Sequence, residues 1–95
     1  MLIEKIELNN GTAIGLSYQL QKAPLIVVNA ERGFVMCGYL DMQTAAALGD
    51  AAVKVKGVKT FEELLKAPVV DATPSAFSLG VKTGMTGKEA LELMF

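Results

Sequence analysis

From Thr12 to Gln21 the chain alternates with a period of two. Thr12, Ile14, Leu16, Tyr18 and Leu20 share one side, and Ala13, Gly15, Ser17, Gln19 and Gln21 the other. Successive side chains of a strand point to opposite faces, so this pattern predicts a half-buried strand. Leu2 to Leu8 is a weaker strand of the same kind. Asn9-Asn10-Gly11 between them is a hairpin signal, because Asn and Gly both accept positive φ. After Pro24, the unbroken run Leu25-Ile26-Val27-Val28 suits a strand covered on both faces. Phe34 to Leu40 is another apolar strand. The short links between these four strands fit an antiparallel meander.

The pattern changes after Leu40. Asp41 suits the cap of a helix from Met42 to about Leu48. Ala52 to Lys56 sets Val53 and Val55 against Lys54 and Lys56, a fifth strand with one wet face. Thr60-Phe61-Glu62-Glu63 is a capping box opening a helix that buries Phe61, Leu64 and Leu65 and ends before Pro68. Val69 to Ala72 makes a short strand, and Pro74 opens a small helix that stops near Gly80. A second capping box, Thr86-Gly87-Lys88-Glu89, starts a last helix whose apolar face holds Ala90, Leu91, Met94 and Phe95. Strands first, then mixed short helices and strands, give an α+β fold with an N-terminal antiparallel β region. Its 95 residues form a single domain, 1–95.

Composition narrows the function classes. Nine basic residues meet ten acidic ones, so no general affinity for nucleic acid is expected. With one cysteine no intrachain disulfide forms, and with no histidine the commonest metal ligand and general base are missing. No apolar run approaches a membrane span, and Met1-Leu2-Ile3-Glu4-Lys5 does not begin a signal peptide. The expected setting is cytoplasmic, with no membrane partner and no cofactor. A mean hydropathy of +0.39 is high for a small chain. Surplus apolar surface of this kind is usually covered by a partner. The expected partner is a second copy, joined through the N-terminal strands.

Cys37 and Asp41 are the candidate catalytic residues. A reactive thiol needs a nearby cation or helix N-terminus, and Cys37 lies four residues before the Asp41 cap. Its neighbours Val35, Met36 and Tyr39 favour a packed thiol, and Asp41 needs no role beyond capping. Gly84, Thr86, Gly87 and Lys88 are candidate ligand-binding residues, since glycines, a hydroxyl and a lysine meet a helix start that favours small anions. They do not form a P-loop: its first glycine would fall on Lys82, and Glu89 stands where Ser or Thr is required. A tight turn accounts for the same residues. If the helices after Asp41 and Thr86 point their N-termini into one cleft, Cys37 and Lys88 line a shared anion site. Otherwise Cys37 is core and the turn is only a turn.

Three ordered blocks carry a resemblance. They are Gly33 to Asp41, Gly57 to Pro68 and Leu79 to Leu91, with Cys37-Gly38-Tyr39-Leu40-Asp41 and Gly84 to Glu89 as their sharpest parts. Together they resemble the YunC-like family, small bacterial and archaeal domains of unknown function. The resemblance implies an N-terminal β region that mediates tetramerisation, and it implies no activity. The expected function is therefore a small homo-oligomeric ligand-binding or regulatory module, a tetramer. An enzyme using the Cys37 thiol, helped by Asp41, Thr86 or Lys88, and a purely structural interaction protein are the alternatives.

Overall fold

Six strands form one sheet and lie side by side in the order in which they follow along the chain. The computed structural model describes residues 1–95. β1 (Leu2–Glu7), β2 (Thr12–Gln19), β3 (Pro24–Asn29) and β4 (Phe34–Met36) run antiparallel to one another, the meander that the short links predict. α1 (Met42–Leu48) then carries the chain to β5 (Ala52–Lys54), which lies parallel to β4. A parallel neighbour needs such a crossover, whereas an antiparallel one needs only a turn. After α2 (Phe61–Lys66), β6 (Asp71–Ala72) closes the far edge against β5, and α3 (Pro74–Ser78) and α4 (Gly87–Glu92) follow. The protein is α+β, as the order of elements predicts.

The main core lies between the inner sheet face and α2, α3 and α4. Ala13, Ile26, Val28, Val35 and Val53 meet Phe61, Leu64, Ala76, Leu91 and Met94 there. A second, smaller cluster lies on the outer face, where Met36 and Ala52 pack against Ala45 of α1. Ala45 is small enough to bring the helix close to the strands. The folded surface is 5425 Å², near the roughly 5,300 Å² that size scaling gives for one domain of this mass.

The caps hold as read. Asp41 accepts from the Gln43 amide at 3.0 Å, and Glu89 N donates to the Thr86 hydroxyl at 3.1 Å while Thr86 N donates to the Glu89 carboxylate at 3.0 Å. Thr60 also caps its helix, but Glu63 reaches one residue further back, to the Lys59 amide at 2.8 Å. Buried Thr73 caps α3 and ties it to β5, donating to Asp50 O at 2.6 Å and accepting from Ala52 N at 3.0 Å.

Several details depart from the sequence reading; the short strand expected over Val69 to Ala72, for one, is only Asp71–Ala72. The fourth strand ends at Met36, and Cys37 to Leu40 form a turn closed by Leu40 N to Cys37 O at 3.4 Å. The fifth strand ends at Lys54, although Val55 N still bonds Met36 O at 3.0 Å. β3 is fully covered only on the side of Ile26 and Val28, while Leu25 and Val27 are half-buried. Finally, neither Asn10 nor Gly11 takes positive φ. The turn is closed by Leu8 N to Gly11 O at 2.9 Å and braced by Glu92, whose carboxylate accepts from the amides of Asn9 at 3.0 Å and Asn10 at 2.9 Å. Gly11 is required for closeness: a Cβ there would stand 2.5 Å from the Phe95 ring.

Candidate functional site

The inner face of β2 is its small-residue face. Ala13 and Gly15 are buried, and a Cβ on Gly15 would lie 2.7 Å from the Phe61 ring, so the glycine lets α2 settle on the sheet. The larger apolar residues therefore point outward. Register sets Ile3, Leu16, Val27 and Met36 side by side in one outer row, with Lys5, Ile14, Asn29 and Phe34 in the next. α1 covers the Met36 end of these rows. Toward β1 nothing covers them: Ile3 is 62%, Ile14 44% and Tyr18 52% exposed.

A cleft opens at one end of the sheet. Ala23 and Pro24 come from the β2–β3 link, and Cys37, Gly38 and Tyr39 from the turn after β4. Gly57, Val58 and Lys59 come from the loop after β5, and the open cleft has a volume of about 320 Å³. The cleft thus sits beyond the carboxyl ends of the parallel pair β4 and β5, where loops diverge and open sheets commonly hold ligands. Tyr39 also borders a shallow depression lined by Tyr18, Gln19, Leu20 and Gln21, which joins the cleft to the outer sheet face.

Cys37 is buried on the floor of this region. Its Sγ accepts from Ile26 N at 3.4 Å and lies 4.0 Å from Pro24 O. These contacts fasten the turn after β4 to β3, which is a packing role. Asp41 borders a different hollow, beside Phe34, Met36 and Leu40. Its carboxyl is held below the usual carboxylate range, first by the Thr44 hydroxyl at 2.7 Å and then by the Gln43 amide, with Lys54 adding a smaller Coulombic contribution.

The Gly84–Lys88 turn borders neither hollow. Its main-chain donors at Gly84, Thr86 and Gly87 serve the chain itself. Gly84 N bonds Val69 O at 2.9 Å, Gly87 N bonds Ala67 O at 2.9 Å, and Thr86 N is held by Glu89. Gly84 supplies the left-handed turn at φ +91°. The structure thus brings Cys37 to the cleft without Asp41 and without Gly84, Thr86, Gly87 or Lys88. Lys59, Gly57 and Pro24 line it instead. No local sequence signal marks these three, because segments far apart in the chain meet only through the strand order. No group of three or more carboxylates and thiols is placed to hold a metal, and no helix is long and apolar enough to cross a membrane.

The fold and sequence have known counterparts. The "Uncharacterized protein YunC" of Bacillus subtilis (strain 168) is 36% identical over 80 residues, which cover 80% of this chain and 79% of that protein. A crystal structure of TA1206 from Thermoplasma acidophilum, a protein of unknown function, superposes with a TM-score of 0.94 at 34% identity. That match covers 99% of this chain and 92% of the other. The sequence model described as "Domain of unknown function (DUF1805)" matches residues 36–94, from the end of β4 through α4. The chain belongs to this DUF1805 family, and its relationship to YunC agrees with the YunC-like resemblance of its three sequence blocks.

Proposed function

We propose that the protein is a homo-oligomeric binding module, assembled through the outer face of β1–β3 and carrying a small-ligand cleft beside Cys37. The observation that carries this reading is the uncovered apolar outer face. Leu16 lies at its centre between Ile3 and Val27, and the half-buried Leu25 extends it. Exposed Ile3, Ile14 and Tyr18 give it a contiguous apolar surface of the kind that marks interaction sites. A second copy applied through the same patch is the simplest closed arrangement, since a two-fold interface uses one surface twice. A tetramer, the state the family resemblance implies, adds a second two-fold contact on a different part of the surface. The cleft reaches the rim of this face through Tyr39, so assembly and ligand binding adjoin. Native mass spectrometry of the purified protein tests the reading, with a multiple of the 10.1 kDa subunit expected and a monomer refuting it.

A further inference from the structure

We infer that the cleft takes a small organic anion, an apolar body bearing one carboxylate or phosphate that pairs with Lys59. The inference rests on the proposed ligand-binding reading and not on the oligomer. Lys59 is the only charged residue on the wall, and no acidic side chain faces it there. The lysine also borders a neighbouring depression with Glu4 and Glu62, yet it forms an ion pair with neither; the only salt bridge in the protein is Lys66 to Glu62. An ammonium that forms no ion pair, beside a largely apolar concavity, favours an anion with an apolar remainder, with the Glu63 carboxylate already engaged on the Lys59 main-chain amide. Pro24 and Val58 supply the apolar contact, and Tyr39 offers a ring edge and a hydroxyl. A volume of about 320 Å³ is at the small end of ligand pockets, so a single-ring compound is the right scale.

Gly38 gives the cleft a position at which it can be probed. Its φ is not positive, so the backbone does not demand glycine. Nor does crowding: the nearest atom to a Cβ placed there, outside the chain neighbours, is Lys54 Cε at 4.0 Å. The glycines that pack tightly are different, as at Gly15 and Gly33, where a Cβ would meet atoms under 3.0 Å away. Gly38 is therefore a place on the cleft wall where a larger side chain can be introduced without strain.

The test is an NMR titration of the native protein with phenyl phosphate and with the neutral ring compound benzyl alcohol. Phenyl phosphate is expected to shift the amide signals of Gly38, Tyr39 and Gly57 and to bind about tenfold tighter than benzyl alcohol, as one charge-assisted contact provides. Lys59→Met should remove that difference and leave benzyl alcohol binding unchanged. Gly38→Val should block both compounds, with circular dichroism confirming the fold. Equal affinity for the two compounds, or a difference abolished by Lys88→Met and not by Lys59→Met, overturns the inference while leaving a ligand site. No shift at these amides with either compound overturns the inference and removes the cleft from the proposed function as well.

Discussion

Leu16→Lys separates the stability of the subunit from that of the proposed assembly. Fully burying an aliphatic or aromatic side chain contributes about 1.5–3 kcal/mol. Scaled by their exposed fractions, Ile3, Ile14 and Tyr18 leave roughly 2–5 kcal/mol per copy unrealised in the lone subunit. Two copies meeting through this face would recover roughly twice that, before the half-buried Leu16, Leu25 and Val27 are added. The amount is comparable with the cost of association, about 4–15 kcal/mol, so one central defect is enough to tip the balance. A lysine at position 16 can run its stem along Ile3 and Val27 and lift its ammonium into water in the monomer, at a cost of about 1 kcal/mol or less. In the proposed assembly that ammonium is trapped beside Ile3 and Val27, with the like-charged Lys5 in the next row, a defect worth about 2–5 kcal/mol and hence roughly 30- to several-thousandfold in the dissociation constant. Light scattering coupled to size exclusion reads the mass, and urea melts of the diluted subunit read its own stability. Unchanged mass for Leu16→Lys would refute the reasoning, because it would place the interface elsewhere.

Three further changes test the scaffold. Glu92→Ala removes the carboxylate that holds the Asn9 and Asn10 amides; hydrogen exchange at both should accelerate, with a stability loss of about 1–2 kcal/mol, and unchanged exchange would show that the hairpin holds itself. Gly87→Ala drives a Cβ into the Leu64 carbonyl, so a loss of about 1–3 kcal/mol in urea melts is expected, against a null change if α4 can simply shift away from α2. Asp41 has a depressed folded-state pKa, so its contribution is present above its ordinary value of about 3.9 and fades as pH falls through the lower folded value. Asp41→Asn keeps a competent cap but cannot titrate, and its acid unfolding curve should lack this loss; a curve parallel to the wild type would contradict the assignment.

Local chemistry made the elements legible. Asp41, Thr60 and Thr86 all cap the helices assigned to them, because a cap is a contact between residues two or three apart. The alternation of Thr12 to Gln21 marked a strand for the same reason. The direction of that strand's faces was not legible. Binary patterning sends the larger apolar side toward the core of a lone subunit, yet here the side with Ala13 and Gly15 faces α2. The decision lies with Phe61, far away in sequence, whose ring occupies the volume that a Cβ at Gly15 would take. Asn10-Gly11 teaches a similar lesson: the dipeptide did mark the hairpin, but its glycine answers to Phe95 and its amides to Glu92, both at the other end of the chain.

The cleft was the least legible part, and its wall shows why. Cys37 stood out in the sequence as the single thiol, and the Gly84–Lys88 turn stood out as a cluster of residues that commonly bind phosphate. Chemical type alone distinguishes both. What a residue can bind depends on what it is free to contact, and the fold ties these two down: Cys37 Sγ serves Ile26 N, and Gly84 N and Gly87 N serve carbonyls of the neighbouring Ala67–Val69 segment. Lys59 reads as one of several lysines on a solvated face. The loop after β5 carries it to the end of the sheet, next to the turn after β4, only because β5 lies parallel to β4 and their carboxyl ends coincide. An antiparallel β5 would point its outgoing loop toward the other end, and Lys59 would have no cleft to line. The crossover through α1 thus joins Asp41 to the cleft indirectly: by capping α1, it helps fix the segment that sets the direction of β5.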